Sequence, residues 1–421
     1  MKPNPTLFRA LLLTGIALPG MAHADEVSIW RAFVADQAQG MLSVIDLPSG
    51  DIVDTFALNG PASLYATASG QRVFAVQGGA NIVQAIDTGI AIDDHGDHGD
   101  IEITAPVLLD AAIEGEYPVH FVEHHGQIAL FFDDEGVAKI IDETDFGTAE
   151  PRLVDSGAPH HGVAAAYGDY TLLTEPHPED PSNLPVGINI LDANDQPVGE
   201  THACPGLHGE ASSGNLLAIA CDTGLLLVSD SADGPQITHL PYDEALPEGK
   251  SSTLLGGVGI QYFLGNYGAD RLVLIDPHQQ SFRLVDLPTR RVHFAVDPVR
   301  PQFAYIFTED GNLHRLNTLS GEISATLALT GPYSMDGHCP TRAPASPSPA
   351  TKSSSPIPAR RRSIASMPSV SSLREPSPSM ASPWASSWPA ARAPSTDRKG
   401  RPRGRPFSPD IGYGAVTGSV P

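Results

Sequence analysis

Four histidines recur at the same point of a repeating sequence unit. They are His120, His161, His208 and His293, and each lies at the start of a short apolar run that is followed by a turn and a second apolar run. Their spacings are 41, 47 and 85 residues, so the last interval holds about two units. Neutral imidazoles are good ligands for zinc and other transition metals. If a repeating fold brings these side chains to one axis, they form a metal site.

A purely structural role is the alternative, in which each histidine only hydrogen-bonds a neighbouring loop. Recurrence at one equivalent position favours metal binding over that alternative. A ligating imidazole also needs a hydrogen-bond partner for its second nitrogen. Glu123, Glu210 and Asp297 lie two to four residues from these histidines. They could supply that partner or bind the metal directly.

A second group of metal-binding residue types lies in a glycine-containing loop from Asp93 to Asp100. The candidate ligands of this group are His95, Asp97 and His98 in the loop, with Glu123, His124 and His125 following at a distance. Glycine makes the loop flexible, so we expect it to capture a divalent cation loosely and exchange it quickly. A solvated acidic loop is the alternative. The spacing is not that of a calcium-binding EF-hand.

Short strands in a repeat of about 40 residues must position these side chains. Each unit has an inner strand, a tight turn, a second strand, a third strand that ends in Ile-Asp or a similar pair, and an outer strand. Apolar runs separated by Gly, Asp, Asn and Pro predict strands and hairpins. The spacing is typical of four-stranded propeller blades. We therefore predict an all-β propeller whose innermost strands carry the four histidines along one channel; an all-β sandwich is the alternative.

The number of repeats predicts seven to eight blades. Seven units can be counted up to Gly331. The first unit lacks an inner strand, because the segment from Trp30 onward matches the second strand of the other units. Propellers commonly close by letting the end of the chain supply such a strand. A complete ring therefore needs one more blade and a closing strand after Gly331. We expect that this last blade has been lost from the sequence as it stands. The predicted propeller domain spans residues 25–339.

Residues 340–421 differ abruptly in composition from the propeller. Ser, Pro, Ala and Arg dominate, and residues 341–421 hold 12 of the 25 Lys and Arg residues but 3 of the 49 Asp and Glu residues. A disordered basic tail is one interpretation. The one we favour is a shifted reading frame. Back-translation of residues 352–358 and 362–367 in the neighbouring frame gives two strings that resemble the second and third strands of a blade.

Residues 1–24 have the features of a secretory signal peptide. Lys2 and Arg9 accompany an apolar run, and Ala22-His23-Ala24 fits a cleavage site. The mature chain should begin near Asp25 and reside in a periplasm or outside the cell. The apolar run is too short to span a bilayer, so no membrane insertion is expected.

Two of the three cysteines are expected to pair. Cys204 and Cys221 lie symmetrically about a predicted hairpin centred near Ser212, so they could face each other across two antiparallel strands. An oxidising compartment favours the disulfide. Two buried free thiols are the alternative.

The charge distribution excludes some partners. The net charge is −24, and residues 1–340 hold 13 basic against 46 acidic residues, a net charge of −33. A domain this acidic argues against nucleic acid and anionic lipid as partners. It suits a cationic ligand, although a need for solubility alone could explain the negative charge. No hydrolase elbow, zinc-protease motif, phosphate loop or dinucleotide fingerprint is present. We expect a binding protein that is a monomer and not an enzyme.

The signal peptide, the blade repeat, the His-Gly-Asp-His loop and the recurrent histidines together resemble the periplasmic zinc metallochaperones of the AztD type. The resemblance covers residues 25–338. It implies a propeller that binds Zn²⁺ and passes it directly to the substrate-binding protein of a zinc ABC transporter. The family's flexible His/Asp segment corresponds to residues 93–100, and its buried site to the recurrent histidines, without indicating which of them ligate. The chain departs from the family after Cys339.

A metal-dependent propeller hydrolase, such as a lactonase, is the alternative function, in which a channel metal activates water. Such sites favour carboxylate and Asn ligands around Ca²⁺, whereas the predicted channel here is rich in histidine. A passive scaffold for protein contacts is a third possibility. Metal analysis would separate the scaffold from the others, and a lactonase assay would separate the hydrolase.

Overall fold

Alternation of apolar and polar residues folds the chain into seven four-stranded antiparallel sheets, the blades of a β-propeller. The structure is a computed structural model that describes residues 29–94, 99–257, 259–334 and 415–418. In these residues it consists of strands and two short 3₁₀ turns, Gly78–Ala80 and Glu143–Asp145, with no α-helix. No helix in the described ranges has the length and apolar content that crossing a membrane requires. The predicted all-β propeller is confirmed.

The first three blades precede His160 in the chain. Blade 1 contains β1 (Ile29–Asp36), β2 (Met41–Asp46) and β3 (Ile52–Ala57). Blade 2 contains β4 (Ser63–Ala66), β5 (Arg72–Gln77), β6 (Ile82–Asp87) and β9 (Val107–Glu114). A hairpin of β7 (Ile90–Asp94) and β8 (Gly99–Ile103) is inserted between the last two strands of blade 2. Blade 3 contains β10 (Pro118–His124), β11 (Gln127–Phe132), β12 (Val137–Asp142) and β13 (Arg152–Asp155).

Four further blades follow in chain order. Blade 4 contains β14 (Ala164–Tyr167), β15 (Tyr170–Glu175), β16 (Gly187–Leu191) and β17 (His202–Ala203). Blade 5 contains β18 (Glu210–Ser213), β19 (Leu216–Cys221), β20 (Gly224–Ser229) and β21 (Gln236–Pro241). Blade 6 contains β22 (Leu254–Leu255), β23 (Phe263–Asn266), β24 (Arg271–Asp276) and β25 (Ser281–Asp286). Blade 7 contains β26 (Arg291–Val296), β27 (Phe303–Thr308), β28 (Asn312–Asn317) and β29 (Glu322–Ala328).

Blade 1 is completed by a strand from the far end of the chain. Strand β30 (Ala415–Gly418) pairs antiparallel with β1, from Ile29 opposite Gly418 to Ala32 opposite Ala415. The first unit therefore lacks its own inner strand, as predicted. The backbone of these four residues of the predicted tail pairs with an edge of β1 that would otherwise be exposed. The predicted signal peptide, residues 1–24, and the further blade expected after Gly331 lie outside the described residues.

Apolar side chains between neighbouring blades form the core. Phe33 and Leu42 of blade 1, for example, pack with Leu64 and Val73 of blade 2, and all four are at most 1% exposed. Similar clusters join each consecutive pair of blades up to blade 7. Full burial of one such side chain contributes about 1.5–3 kcal/mol. The packed blades thus make a rigid frame for the ends of the innermost strands.

Candidate metal centre

Three of the four recurrent histidines converge beside the starts of neighbouring innermost strands. His120 lies in β10, after a bulge that shifts the register of its pairing with β11. His161 lies in the linker that leads into β14, and His208 lies in the linker that leads into β18. The expectation that all four occupy innermost strands is therefore wrong for His161 and His208, because strand pairing in blades 4 and 5 begins two or three residues later.

The nitrogens of two of the rings have a spacing that suits one metal ion, and the third ring lies beside them. Nε2 of His120 is 3.2 Å from Nε2 of His161. The ring centroid of His208 is 5.2 Å from that of His161 and 6.2 Å from that of His120. Two nitrogens that each lie about 2.0–2.1 Å from a tetrahedral zinc ion are ~3.3 Å apart. The measured separation of the two Nε2 atoms agrees with that value.

The second nitrogen of each ring is fixed by an acceptor. Nδ1 of His120 lies 3.0 Å from Oε1 of Glu210, and Nδ1 of His161 lies 2.7 Å from Oδ2 of Asp133. Nδ1 of His208 donates to the carbonyl oxygen of Ser252 at 2.8 Å. A ring that donates through Nδ1 carries its lone pair on Nε2 when it is neutral. All three rings thus have the tautomer and orientation of metal ligands.

The two carboxylates beside the rings favour a cation in the cluster. Oδ1 of Asp133 and Oε2 of Glu210 are buried and have no hydrogen-bond partner within the described residues. Burial raises the pKa of Glu210, but the charges of His120, His208 and His161 hold it below its ordinary value. Unpaired buried carboxylate oxygens are costly. A divalent cation on the three rings would offset both charges, so the residues present fit Zn²⁺.

A glycine lets the His208 linker approach blade 6. Gly209 has φ +88°, a left-handed conformation that other residues rarely adopt. A Cβ at this position would collide with the Ser252 carbonyl oxygen that accepts the hydrogen bond from His208. The glycine is therefore required for the contact that orients this ring.

The fourth recurrent histidine, His293, lies in a different blade from the three-ring cluster. It lies in β26 of blade 7, after a bulge like the one that precedes His120, and its ring is 6.4 Å from that of Phe294. Burial, together with the neighbouring charge of Arg291, lowers the pKa of His293 to about 4. The ring is therefore neutral at pH 7. Blade 6 separates it in the chain from the blades that carry the cluster.

A second cluster lies at the opposite end of β10. Nε2 of His125 is 3.2 Å and Nε2 of His124 is 3.9 Å from Oδ2 of Asp230. His124 is buried and stacks on Tyr167 at 4.0 Å between ring centroids, whereas His125 and Asp230 are more than half exposed. Burial and the charge of His125 lower the pKa of His124 to about 4. The ligand atoms lie within 4.8 Å of one another and could hold a metal ion.

Other predicted site residues have different partners in the structure. Glu123 accepts backbone hydrogen bonds from Ala68 and Gly126, each at 3.0 Å. Asp297 accepts from Arg300 and Tyr305. These two carboxylates thus hold local structure, and only Glu210 of the three predicted partners contacts a recurrent histidine. The predicted ligands His95, Asp97 and His98 lie outside the described residues, between β7 and β8.

His160 precedes His161 in the chain and has different partners. His160 is buried, with Nε2 2.8 Å from the hydroxyl of Thr174 and Nδ1 2.8 Å from the carbonyl oxygen of Ala158. Burial lowers its pKa. It therefore remains neutral and fixes the linker that carries His161.

Sequence reasoning missed Asp133, Asp230 and the carbonyl of Ser252. Asp133 directly follows β11, and Asp230 directly follows β20. Each lies in a different blade from the histidine it contacts. The only sequence signal was an acidic residue at the end of a strand, which is also typical of ordinary turns.

The predicted disulfide is present. Sγ of Cys204 is bonded to Sγ of Cys221, and the two Cα atoms are 5.0 Å apart. Cys221 ends β19, as the hairpin argument required, but Cys204 lies in the linker before β18 and not in that strand.

Comparison with known proteins agrees with the fold. No protein-family model matches the chain. It is 49% identical over 336 residues to the zinc chaperone AztD of Citrobacter koseri, which covers 79% of this chain and 80% of that protein. The structure of apo AztD from Citrobacter koseri matches with a TM-score of 0.72 and 50% identity over 74% of this chain and 85% of that one. A crystal structure of Citrobacter koseri AztD matches with a TM-score of 0.72 and 51% identity over 74% and 84%.

The fold and the three-histidine cluster together define a β-propeller with a candidate transition-metal centre. The identity and coverage of the relative are more specific: the chain belongs to the AztD family of zinc chaperones. This membership does not favour the alternative of a metal-dependent propeller hydrolase.

Proposed function

We propose that the protein is a periplasmic zinc metallochaperone. In this proposal Zn²⁺ binds at His120, His161 and His208 and passes to the substrate-binding protein of a zinc ABC transporter. The convergence of the three rings, each with Nδ1 fixed by an acceptor, carries the proposal. The name of the relative supports zinc as the cargo. The predicted signal peptide supports the periplasm, and the protein acts as a monomer.

The ligand chemistry favours zinc over calcium and magnesium. Imidazole nitrogens suit Zn²⁺, whereas Ca²⁺ and Mg²⁺ require oxygen ligands. In the metal-free cluster the Nε2 atoms of His120 and His161 are 3.2 Å apart, and a proton and a zinc ion compete for their lone pairs. The affinity for zinc therefore falls as the pH falls, because a protonated imidazole cannot bind the metal.

Direct transfer is the decisive test of the whole proposal. Zinc-loaded protein is mixed with the apo substrate-binding protein of a zinc ABC transporter in the presence of excess chelator, and the metal content of each protein is measured after separation. We expect zinc to reach the substrate-binding protein faster than it dissociates into the chelator. Transfer that only matches the rate of free dissociation would contradict delivery. Absence of any tight zinc binding would contradict the function altogether.

The loop from Asp93 to Asp100 is proposed to serve delivery more than storage. Its ends are paired strand residues, Asp93 opposite Asp100 and Asp94 opposite Gly99, and glycine in this segment disfavours a preorganised cage. Deletion of the loop should slow zinc loading or transfer while leaving the equilibrium affinity of the tight site largely unchanged.

A matched control replaces residues 93–100 with a Gly/Ser linker of equal length, which keeps the hairpin connection and removes the ligands. Stopped-flow loading and equilibrium chelator competition measure the two quantities separately. Loss of all tight binding in either variant would show that the loop is the main site.

The exposed cluster of His124, His125 and Asp230 is proposed as a second, weaker zinc position. It offers two ligand atoms from the exposed His125 and Asp230 and one from the buried His124, and solvent competes for the ion at the exposed side. The low pKa of His124, about 4, keeps that ring neutral under mildly acidic conditions. Such a site can exchange zinc with a docked partner more readily than the buried cluster can.

A further inference from the structure

The linker that carries His208 crosses from the outer strand of one blade to the inner strand of the next. It begins after β17, the outer strand of blade 4, and ends at β18, the inner strand of blade 5. Its first residue, Cys204, is covalently joined to Cys221 at the end of β19. His208 therefore lies four residues from a cross-link to the blade that it enters.

Backbone hydrogen bonds continue the attachment toward the ligand. The amide of Asp222 donates to the carbonyl of Pro205 at 2.8 Å, and the amide of His208 donates to the carbonyl of Ala220 at 3.1 Å. Leu207 between them is 1% exposed, and both cysteines are 0% exposed. The disulfide, the two hydrogen bonds and the buried leucine together leave the His208 backbone little freedom.

The linker that carries His161 is fixed without a covalent bond. The hydroxyl of Ser156 donates to the carbonyl of Gly136 at 2.6 Å, and Nε2 of His160 lies 2.8 Å from the hydroxyl of Thr174. These contacts fix the linker that leads into blade 4, as the disulfide fixes the linker that leads into blade 5. The two linkers deliver neighbouring imidazoles to one cluster, 5.2 Å apart between ring centroids.

We infer that the Cys204–Cys221 disulfide positions His208 for metal binding, beyond any effect on the stability of the domain. The inference rests on the proposed zinc site. Without the cross-link the linker retains its hydrogen bonds but gains backbone freedom, and the His208 ring must be ordered when zinc binds. That ordering reduces affinity, since metal ligands depend on the groups that hold them.

A double-mutant cycle tests the inference. The first variant is C204A/C221A, and its zinc affinity is measured by chelator competition. We expect a loss of roughly 10–100-fold, the size of effect that supporting groups have on metal sites. The same pair of cysteine substitutions is then made in an H208A background and in an H161A background. In the H208A background the cysteine substitutions should cost almost nothing further, because the ligand that they position is already gone. In the H161A background they should still weaken binding.

A general stabilising role gives a different pattern. Equal losses in the wild-type and H208A backgrounds would overturn the inference, because the disulfide would then act on the whole protein and not through His208. Folding of each variant is checked by circular dichroism. Cys204→Val with Cys221→Ala, which refills part of the lost core volume, serves as a second variant. If neither cysteine variant folds, the bond is a requirement of the domain and the positioning role is wrong.

Failure of the zinc site itself is recognisable separately. If the wild-type protein binds no zinc, or binds it equally well with and without His208, the proposed function fails before the cycle is read. If wild-type binding depends on His208 and the cycle is additive, only the positioning role fails.

Discussion

Replacement of both His161 and His208 by alanine is expected to abolish tight zinc binding. The double variant keeps one of the three converging rings, and a single imidazole cannot hold zinc against water and chelator. The expected loss is several orders of magnitude in affinity and the whole of the tightly bound zinc. Metal analysis after dialysis against a chelator measures the stoichiometry, and competition with the chelator measures the affinity.

A variant of the exposed cluster is the matched control for this experiment. His125→Ala with Asp230→Asn also removes two candidate ligands, but these ligands lie at the surface. It should retain the tight site and lose only weakly held zinc. If the His161→Ala/His208→Ala protein keeps all of its tightly bound zinc, the tight site lies elsewhere. If the control loses tightly bound zinc as well, the exposed cluster is the tight site.

The propeller could be predicted because its signals are local. Apolar runs of strand length, turn residues between them and a repeat of about 40 residues are all visible in one sequence. The odd first blade could be recognised for the same reason, since Trp30 begins a strand of the second type. A closing strand from the end of the chain was expected, but its position, Ala415–Gly418, could not be predicted, because four residues are too few to show a strand pattern of their own.

The histidine cluster could be predicted only in part. Equivalent positions in a repeat indicate a shared radius from the axis, and the rings of His120, His161 and His208 lie near one another in the structure. Equivalent positions do not indicate angular position around the ring, so His293 had the same signature and a different neighbourhood. Asp133 meets His161 across two blades. Such a pairing depends on how blades pack, and no single unit contains that information.

Acidification is expected to destabilise the fold through histidines that are buried in the neutral form. Burial and Arg291 lower the pKa of His293 to about 4 in the folded protein, from an ordinary value near 6.5. The unfolded chain therefore binds a proton at His293 more readily than the folded chain does. The contribution of His293 to the free energy of unfolding is complete above pH 6.5. It is lost progressively as the pH falls from 6.5 toward 4. At pH 5 the loss is roughly 2 kcal/mol for this one group.

Urea unfolding of the metal-free protein at pH 7 and pH 5 measures this effect. The His293→Gln protein should lose less stability between the two pH values than the wild type, by about 2 kcal/mol. His278→Gln, which changes an exposed histidine, should leave the pH dependence unaltered. The His293→Gln protein should also bind zinc as tightly as the wild type, since blade 6 lies in the chain between His293 and the blades that carry the three rings. An unchanged pH dependence would contradict the buried neutral state, whereas loss of tight zinc would make His293 the fourth ligand.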